Sequence, residues 1–203
     1  EIQAYAASDG LTLNDTDVHS ADGDTNKITY HIPAVGGLTA GVSMTDAGTD
    51  GTSGTQDIMG YGAQYAMEAG GASITLGVAS MTQDTVTAQD NDSTNYGVKI
   101  VSGDLTFIAA TAEYEAVGQD EESSGAGAKM QISDGLSAAV FTYKVEDDST
   151  SEEYTNTGME VVYNLASGLD AYINVEDYEY KAGTSGSTAD SGTASKLTII
   201  ASF

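Results

Sequence analysis

The sequence predicts an all-β fold, an antiparallel transmembrane β-barrel, and three observations lead to that prediction. The chain ends in an alternating apolar strand whose last residue is Phe203. Glycine-containing turns recur at a nearly constant spacing. Long polar and acidic stretches separate those turns.

The terminal strand places Leu197, Ile199, Ala201 and Phe203 on one parity. Alternate residues of a strand face opposite sides of a sheet, so these four side chains share a face. Barrels of the bacterial outer membrane commonly close with such a strand, and aromatic residues sit at their membrane interfaces. Taken alone, the tail also fits the last core strand of a soluble sandwich.

Turn glycines define an internal repeat. Gly37, Gly71, Gly103, Gly135 and Gly168 lie 32 to 34 residues apart, which fits one hairpin per repeat. Polar stretches lie between these turns, at 46–56, 82–93, 115–124, 146–153 and 182–194. Transmembrane barrels have short turns at one end and long loops at the other, whereas a soluble sandwich has no reason for that asymmetry.

Eleven strands follow from the repeat. Those running toward the short turns are predicted at 26–34, 57–67, 94–101, 125–133, 154–166 and 194–203, and those running away from them at 38–45, 72–81, 105–114, 136–145 and 169–180. Residues 1–8 form either a twelfth strand or the end of an earlier one.

Strand parity assigns residues to faces. The predicted lipid-facing set is Leu38, Ala40, Val42, Met44, Ile74, Leu76, Val78, Tyr96, Val98, Ile100, Met159, Val161, Tyr163 and Leu165. The predicted interior set is Thr39, Gly41, Ser43, Thr75 and Gly77, whose small or polar side chains suit a water-filled lumen. Tyrosines near strand ends are predicted to form interface belts: Tyr61, Tyr65, Tyr96, Tyr114, Tyr143, Tyr154, Tyr163 and Tyr178.

Composition excludes several functions. The chain has 203 residues, a formal net charge of −25, no cysteine and no arginine, so it cannot neutralise a run of nucleic-acid phosphates. No apolar run approaches the ~20 residues of a transmembrane helix. The two histidines, His19 and His31, form no metal-spaced pair, and the chain carries no nucleophile elbow or phosphate loop. The sequence therefore predicts no enzyme and no dedicated metal site.

The segment 26–44 resembles general bacterial porins, in particular the alphaproteobacterial type. Tyr30, Pro33, Gly36, Gly37 and Leu38 carry the resemblance, followed by an alternating Gly-Val-Ser run. The resemblance implies a sixteen-stranded barrel, a homotrimer in contact with outer-membrane lipid and lipopolysaccharide, and a C-terminal strand read by the barrel-assembly machinery.

The resemblance also implies that the eleven strands are strands six to sixteen of a longer barrel. Residues 1–25 would then form the pore-constricting loop and residues 26–203 the barrel strands. The first part of the barrel would be missing from this sequence. The alternative is a complete twelve-stranded small barrel that begins with residues 1–8.

Pore chemistry follows from the resemblance. Carboxylates at a constriction favour cations, and the candidates on residues 1–25 are Asp9, Asp15, Asp17, Asp22 and Asp24. Their counterparts on the lumen wall are Lys27, His31, Lys99, Lys129 and Lys196, of which the lysines have the parity opposite to their apolar neighbours.

The predicted function is passive diffusion of small hydrophilic solutes and ions through an outer-membrane porin of a Gram-negative bacterium. No cofactor is expected, although the acidic loops at 90–92, 121–122 and 147–148 offer hard oxygens for structural Ca²⁺. An acidic β-rich surface protein or adhesin is a further alternative, which would fit the charge and the glycine content but not the turn asymmetry.

Overall fold

A computed structural model describes residues 26–46, 55–85, 90–184 and 188–202 as one antiparallel sheet. Each strand pairs with the next in chain order, and β1 and β11 are the edges of this described sheet. The eleven strands are β1 (Asn26–Val35), β2 (Leu38–Asp46), β3 (Thr55–Ala69), β4 (Ala72–Thr85), β5 (Asn91–Ser102), β6 (Leu105–Ala116), β7 (Gln119–Ser133), β8 (Leu136–Asp147), β9 (Glu152–Ala166), β10 (Leu169–Lys181) and β11 (Asp190–Ala201). The predicted all-β class and the count of eleven strands from residue 26 onward are confirmed. The proposed first strand at residues 1–8 lies outside the described residues.

The short turns use glycine where the backbone requires it. Gly36 and Gly37 join β1 to β2, and both have positive φ, at 56° and 88°. A two-residue hairpin turn of the type I′ class needs positive φ at both positions, which glycine adopts without steric cost. Gly70 and Gly71 repeat the arrangement between β3 and β4, at 60° and 83°.

Each of four short turns is also bonded by the strand that follows its hairpin. The carbonyl of the second turn residue accepts a backbone hydrogen bond in the pairs Ala66 N to Gly37 O, Gln131 N to Asp104 O, Asn164 N to Gly135 O and Ser202 N to Gly168 O. The donor–acceptor distances are 2.7 to 2.9 Å. These four hairpins are therefore staggered in the same way.

The opposite end of the sheet differs from the prediction. The predicted long loop at 115–124 is wrong, because β6 and β7 continue to a two-residue turn at Val117 and Gly118. The acidic residues there pair directly across the strands, Glu113 with Glu122 and Glu115 with Asp120. The gap between β8 and β9 is likewise only residues 148–151. Polar composition suggested a loop, but a strand that projects beyond a bilayer also meets water and can carry charge.

The two faces of the sheet differ in burial. Every buried side chain of the described residues lies on one face, here called the inner face, and the set is Thr45, Ile58, Gln83, Ser93, Ile108, Ser123, Ser137, Ala139, Phe141, Asn156 and Glu160. Directly paired residues share a face, so the register carries this assignment from β1 to β11. Four irregularities, all near strand ends, interrupt the pairing between Ile32 and Val35, Thr55 and Ile58, Gln131 and Ser133, and Leu169 and Asp170. Side chains crowd on the inside of a curved sheet, so the sheet curls around its inner face. No helix that could cross a membrane occurs among the described residues.

The outer face carries a belt of exposed apolar side chains. Val42 pairs with Tyr61, Ala63 with Val78, and Val78 with Tyr96. The belt continues through Val98, Ala109, Ala126 and later strands. The predicted lipid-facing residues lie on this face, and the predicted interior residues lie on the inner face. The exposed members include Leu38, Met44, Leu76, Val78, Met159, Tyr163 and Leu165.

The predicted tyrosine belt is half wrong. Tyr61, Tyr65, Tyr96 and Tyr163 lie on the outer face, as an interface belt requires. Tyr114, Tyr143, Tyr154 and Tyr178 lie on the inner face, because their register partners are inner residues such as Glu121, Gly125, Val145 and Gly192. Nearness to a strand end predicted the belt, but parity decides the face.

We expect Gly37→Ala to destabilise the protein more than Gly71→Ala. The two glycines hold the same turn position with nearly equal φ, so both alanines carry a backbone cost of about 1–2 kcal/mol. An added Cβ at Gly37 would lie 2.2 Å from the carbonyl oxygen of Ala66, whereas nothing lies within 4 Å at Gly71. Overpacking adds about 1–3 kcal/mol at Gly37 alone. Urea unfolding of full-length protein in detergent measures both, and equal midpoints would contradict the close approach.

The belt predicts a second pair of results. Val78 is 40% exposed on the outer face and pairs with Ala63. The next residue after Ala63, Gln64, is exposed on the inner face, so it lies at nearly the same height along the strands as Val78. Val78→Arg should cost about 2–4 kcal/mol in a bilayer, as charge does on the lipid face of a barrel. Gln64→Arg should leave the unfolding free energy nearly unchanged. Folding into lipid vesicles gives both free energies, and a similar cost for Val78→Arg and Gln64→Arg would contradict the assignment of faces.

Candidate functional site: the inner face of the sheet

Glycine marks the inner face. All nine glycines within the described strands lie there: Gly41, Gly60, Gly62, Gly77, Gly97, Gly125, Gly127, Gly158 and Gly192. A Cβ on Gly158 would come within 2.5 Å of the Phe141 ring and 2.9 Å of the Glu176 side chain. Glycine therefore makes room where side chains converge inside the curve.

A groove lies over the inner face of β1 to β5. It encloses about 680 Å³ and its floor is largely bare backbone, because Gly41, Gly62, Gly77 and Gly97 line it. The imidazole of His31 lies at its edge, opposite Gly41 in the register. The groove is wide and open, and small apolar residues and glycines make up most of its lining, which suits passage or packing of chain rather than an enclosed ligand.

Three of the predicted lysines lie on the inner face at neighbouring levels. Lys129 and Lys196 belong to one row of cross-strand partners, which runs Lys129, Ala139, Glu160, Asn174, Lys196 from β7 to β11. Lys99 pairs with Ile108, which pairs with Gly127. Gly127 is the inner-face residue that precedes Lys129 on β7, so Lys99 lies one inner-face row nearer the long-loop end than Lys129. Lys27 lies in β1, but its side chain is outside the described residues. Asp9, Asp15, Asp17, Asp22 and Asp24 are also outside them.

Glu160 is a wall residue that the sequence analysis missed. It is the most buried large side chain of the described residues, at 1% exposed, and lies within the lysine row. Asn174 Nδ2 donates to Glu160 Oε2 over 2.6 Å. A buried carboxylate is tolerated only when hydrogen bonds or opposite charges compensate it. Its parity, opposite to Met159 and Val161, was the signal that could have found it.

The remaining lysines, Lys144 and Lys181, lie on the outer face beyond the apolar belt. Their row contains Glu113, Glu122, Glu146, Glu153 and Lys181 as successive partners, with Lys144 beside it. Lys144 Nζ contacts Glu146 Oε1 at 2.5 Å and Glu153 Oε2 at 3.0 Å, and Lys181 forms an ion pair with Glu153. Like charges directly opposite destabilise a sheet, and the two lysines offset part of that repulsion.

The predicted calcium-binding stretches are not arranged as loops with converging ligands. Glu121 and Glu122 are consecutive in β7 and therefore face opposite sides of the sheet. Asp147 Oδ1 instead accepts from the backbone nitrogens of Ser149 and Thr150, at 2.9 and 3.3 Å. In the described ranges, no three His, Cys, Asp or Glu side chains are placed to hold a metal ion.

The last strand presents Leu197, Ile199 and Ala201 on the outer face. Leu197 pairs with Ile173 and Ile199 with Ala171, so the strand continues the apolar belt. Phe203 lies outside the described residues. The role of this strand as an assembly signal stays a prediction.

Comparison with known proteins decides the family. The family model for the Gram-negative porin matches residues 2–183. The chain belongs to the Gram-negative porin family. Membership locates this porin in the outer membrane and agrees with a sheet that is apolar outside and polar inside. The narrower alphaproteobacterial type stays a prediction.

Three solved structures of bacterial proteins have a similar fold. The anion-selective porin from Comamonas acidovorans is 19% identical with a TM-score of 0.66, and the match covers 88% of this chain and 59% of that one. The protein OccAB4 from Acinetobacter baumannii is 13% identical with a TM-score of 0.67, over 87% and 52% of the two chains. OccK10 from Pseudomonas aeruginosa is 12% identical with a TM-score of 0.64, over 86% and 60%.

The chain thus spans between half and two thirds of the length of these structures. No curated protein matches it.

The contact between Glu160 and Asn174 generates a prediction. Removing the amide with Asn174→Ala leaves a carboxylate short of a donor, so we expect a loss of about 1.5–3 kcal/mol in unfolding free energy. The double variant Glu160→Ala with Asn174→Ala should recover part of that loss, since neither group is then left unpaired. Urea unfolding of the four proteins gives the coupling energy, and additive losses would contradict a direct bond. Thr142 and Thr157, whose hydroxyls are 2.9 Å apart on the exposed outer face, are the control pair. The same four-protein comparison should give a smaller coupling energy there, because neither hydroxyl is buried or charged.

Proposed function

We propose that the full-length protein forms a water-filled channel through which small hydrophilic solutes and ions diffuse passively across the outer membrane. The division of the sheet into an apolar outer face and a polar, glycine-rich inner face carries the proposal. An acidic adhesin has no need for a continuous apolar belt around eleven strands. No chemical step is proposed, and no residue is assigned a catalytic role.

We propose that the full-length barrel has sixteen strands and assembles as a homotrimer. Support comes from the partial coverage of the solved porins, because this chain matches 59% of the Comamonas porin. Additional strands would pair with the free edges of β1 and β11. The twelve-stranded barrel that would begin with residues 1–8 is the alternative.

The constriction is proposed to lie between residues 1–25 and the lysine-bearing wall. Residues 1–25 directly precede β1, whose inner face borders the glycine-floored groove. Asp9, Asp15, Asp17, Asp22 and Asp24 would then face Lys99, Lys129 and Lys196 across the lumen, with His31 at the groove. Opposed charges create a transverse field that orders water and disfavours apolar solutes. Excess carboxylate should favour cations.

The outer-face carboxylates of Glu113, Glu122, Glu146 and Glu153 lie beyond the apolar belt, where an outer-membrane protein meets the lipid headgroups. Their density of carboxylate supports a proposal of divalent cations, Ca²⁺ in particular, bridging them to lipopolysaccharide. We also propose contact with the barrel-assembly machinery through the last strand, whose apolar outer-face residues Leu197, Ile199 and Ala201 support it.

Planar-bilayer recording tests the channel. Full-length protein should give large, stable conductance steps in groups of three, with a reversal potential in a salt gradient that indicates cation preference. Folded protein that never conducts would refute the diffusion channel.

Two lysine variants test the wall. Lys196→Glu should move the reversal potential further toward cation selectivity, because it replaces a positive charge of the lumen with a negative one. Lys181→Glu makes the same charge change on the outer face and should leave the reversal potential unchanged. Equal shifts from both variants would mean that net charge, rather than the inner wall, sets selectivity.

A further inference from the structure

Inner-face tyrosines cluster on β8 to β10 near the long-loop end. Tyr154 pairs with Tyr180, and in the next row Asn156 lies between Tyr143 and Tyr178. Glu176 lies one row further in, and Asp190 pairs with Tyr180 from β11. We call this set the tyrosine wall: Tyr143, Tyr154, Asn156, Glu176, Tyr178, Tyr180 and Asp190.

The rings of the tyrosine wall lean in two directions. Tyr143 and Tyr154 contact each other with ring centroids 5.6 Å apart and planes inclined at 45°. The Tyr178 ring lies instead against Gly192 of β11, where an added Cβ would be 3.0 to 3.1 Å from the ring and its hydroxyl. Tyr178 Oη donates to Asp190 Oδ2 over 3.4 Å. Asn156 lies between Tyr143 and Tyr178 in its row, and Glu176 lies one row further in.

The polar centre of the tyrosine wall has more acceptors than donors. Asn156 is 4% exposed, and its Nδ2 donates to Glu176 Oε2 at 3.2 Å and to Tyr154 Oη at 3.5 Å. Its Oδ1 has no hydrogen-bond partner within the described ranges. A buried polar atom without a partner costs free energy that an incoming donor recovers.

On β7 to β11, the charged side chains of the inner face at this end are all acidic. Glu121, Asp147, Glu152, Glu176 and Asp190 lie there. Lysine first appears on the inner face of β7 to β11 one row nearer the short turns, at Lys129 and Lys196, as far as the described strands show. A solute that moves along β8 to β11 from the long-loop end therefore meets carboxylates and ring faces before it meets Lys196.

We propose that the tyrosine wall is a binding subsite for an organic cation that carries N–H donors, an ammonium or guanidinium group. The carboxylate of Glu176 and the Oδ1 atom of Asn156 accept its hydrogen bonds, and the tyrosine faces attract its charge by the cation–π interaction. A neutral sugar would gain stacking and hydrogen bonds but no charge attraction. The inference rests on the proposed function, since the inner face must line a channel for solutes to reach the site.

Equilibrium binding to detergent-purified full-length protein tests the subsite without requiring conduction. The probe is agmatine, which carries one guanidinium and one ammonium group, and isothermal titration gives its affinity. Tetramethylammonium, a cation without N–H donors, should bind at least tenfold more weakly, because it gains only the ring contribution. Glucose should not bind measurably.

Matched variants locate the site. Glu176→Gln and Tyr178→Leu should each weaken agmatine binding about tenfold, since each removes one of the two attractions. Glu179→Gln makes the same charge change on the outer face of β10 and should leave the affinity unchanged, and Tyr163→Leu is the outer-face control for the ring. Circular dichroism confirms that each variant is folded.

The outcomes separate the two proposals. Agmatine binding that is lost in the inner-face variants supports the subsite, whether or not the protein conducts. Equal binding of agmatine and tetramethylammonium, preference for glucose, or loss of affinity in Glu179→Gln would overturn it. Normal conductance without agmatine binding would overturn the subsite and leave the channel standing.

Discussion

Continuous backbone pairing between neighbouring strands is the constraint on which the rest of this porin depends. Lipid offers no hydrogen-bond partners, so every N–H and C=O group at membrane depth must be bonded by another strand. Pairing on these terms fixes the register from β1 to β11, and the register in turn fixes which side chains face lipid. A shift of one residue anywhere would move polar side chains of the next strand into the bilayer.

The inner face borders water, which can hydrogen-bond polar groups as lipid cannot. Its side chains are therefore more varied than those of the outer face. Curvature crowds the inner side chains, so glycines alternate with large residues such as Phe141, and polar groups become buried although they border a lumen. Glu160 shows the result, a carboxylate held by Asn174 in a row that also carries lysines. Selectivity in such a wall arises from the order in which solutes meet charged levels.

Sequence alone predicted much of this fold because period-two patterning and turn glycines are local signals. The number of strands, the short turns and the faces of residues such as Leu38 and Thr39 all follow from them. The turn at Val117 and Gly118 escaped prediction because water surrounds the strand ends as well as the loops, so acidic composition cannot separate the two. Tyr143 and Tyr178 were misassigned because position along a strand does not give a face. The parity of Glu160 indicates an inner-face residue, but its burial depends on curvature and on neighbours distant in sequence.

The hydrogen bond that joins four of the five short turns to the chain that follows, as between Ala66 and Gly37, has a consequence for how such channels vary in size. Because the same stagger recurs at these four hairpins, each unit adds a nearly constant increment to the circumference when a barrel closes. Calibre then changes in steps of whole hairpins, through gain or loss of a segment of one repeat length. Point substitutions can adjust what passes through the pore, but a large change in barrel diameter requires the duplication or deletion of a whole hairpin.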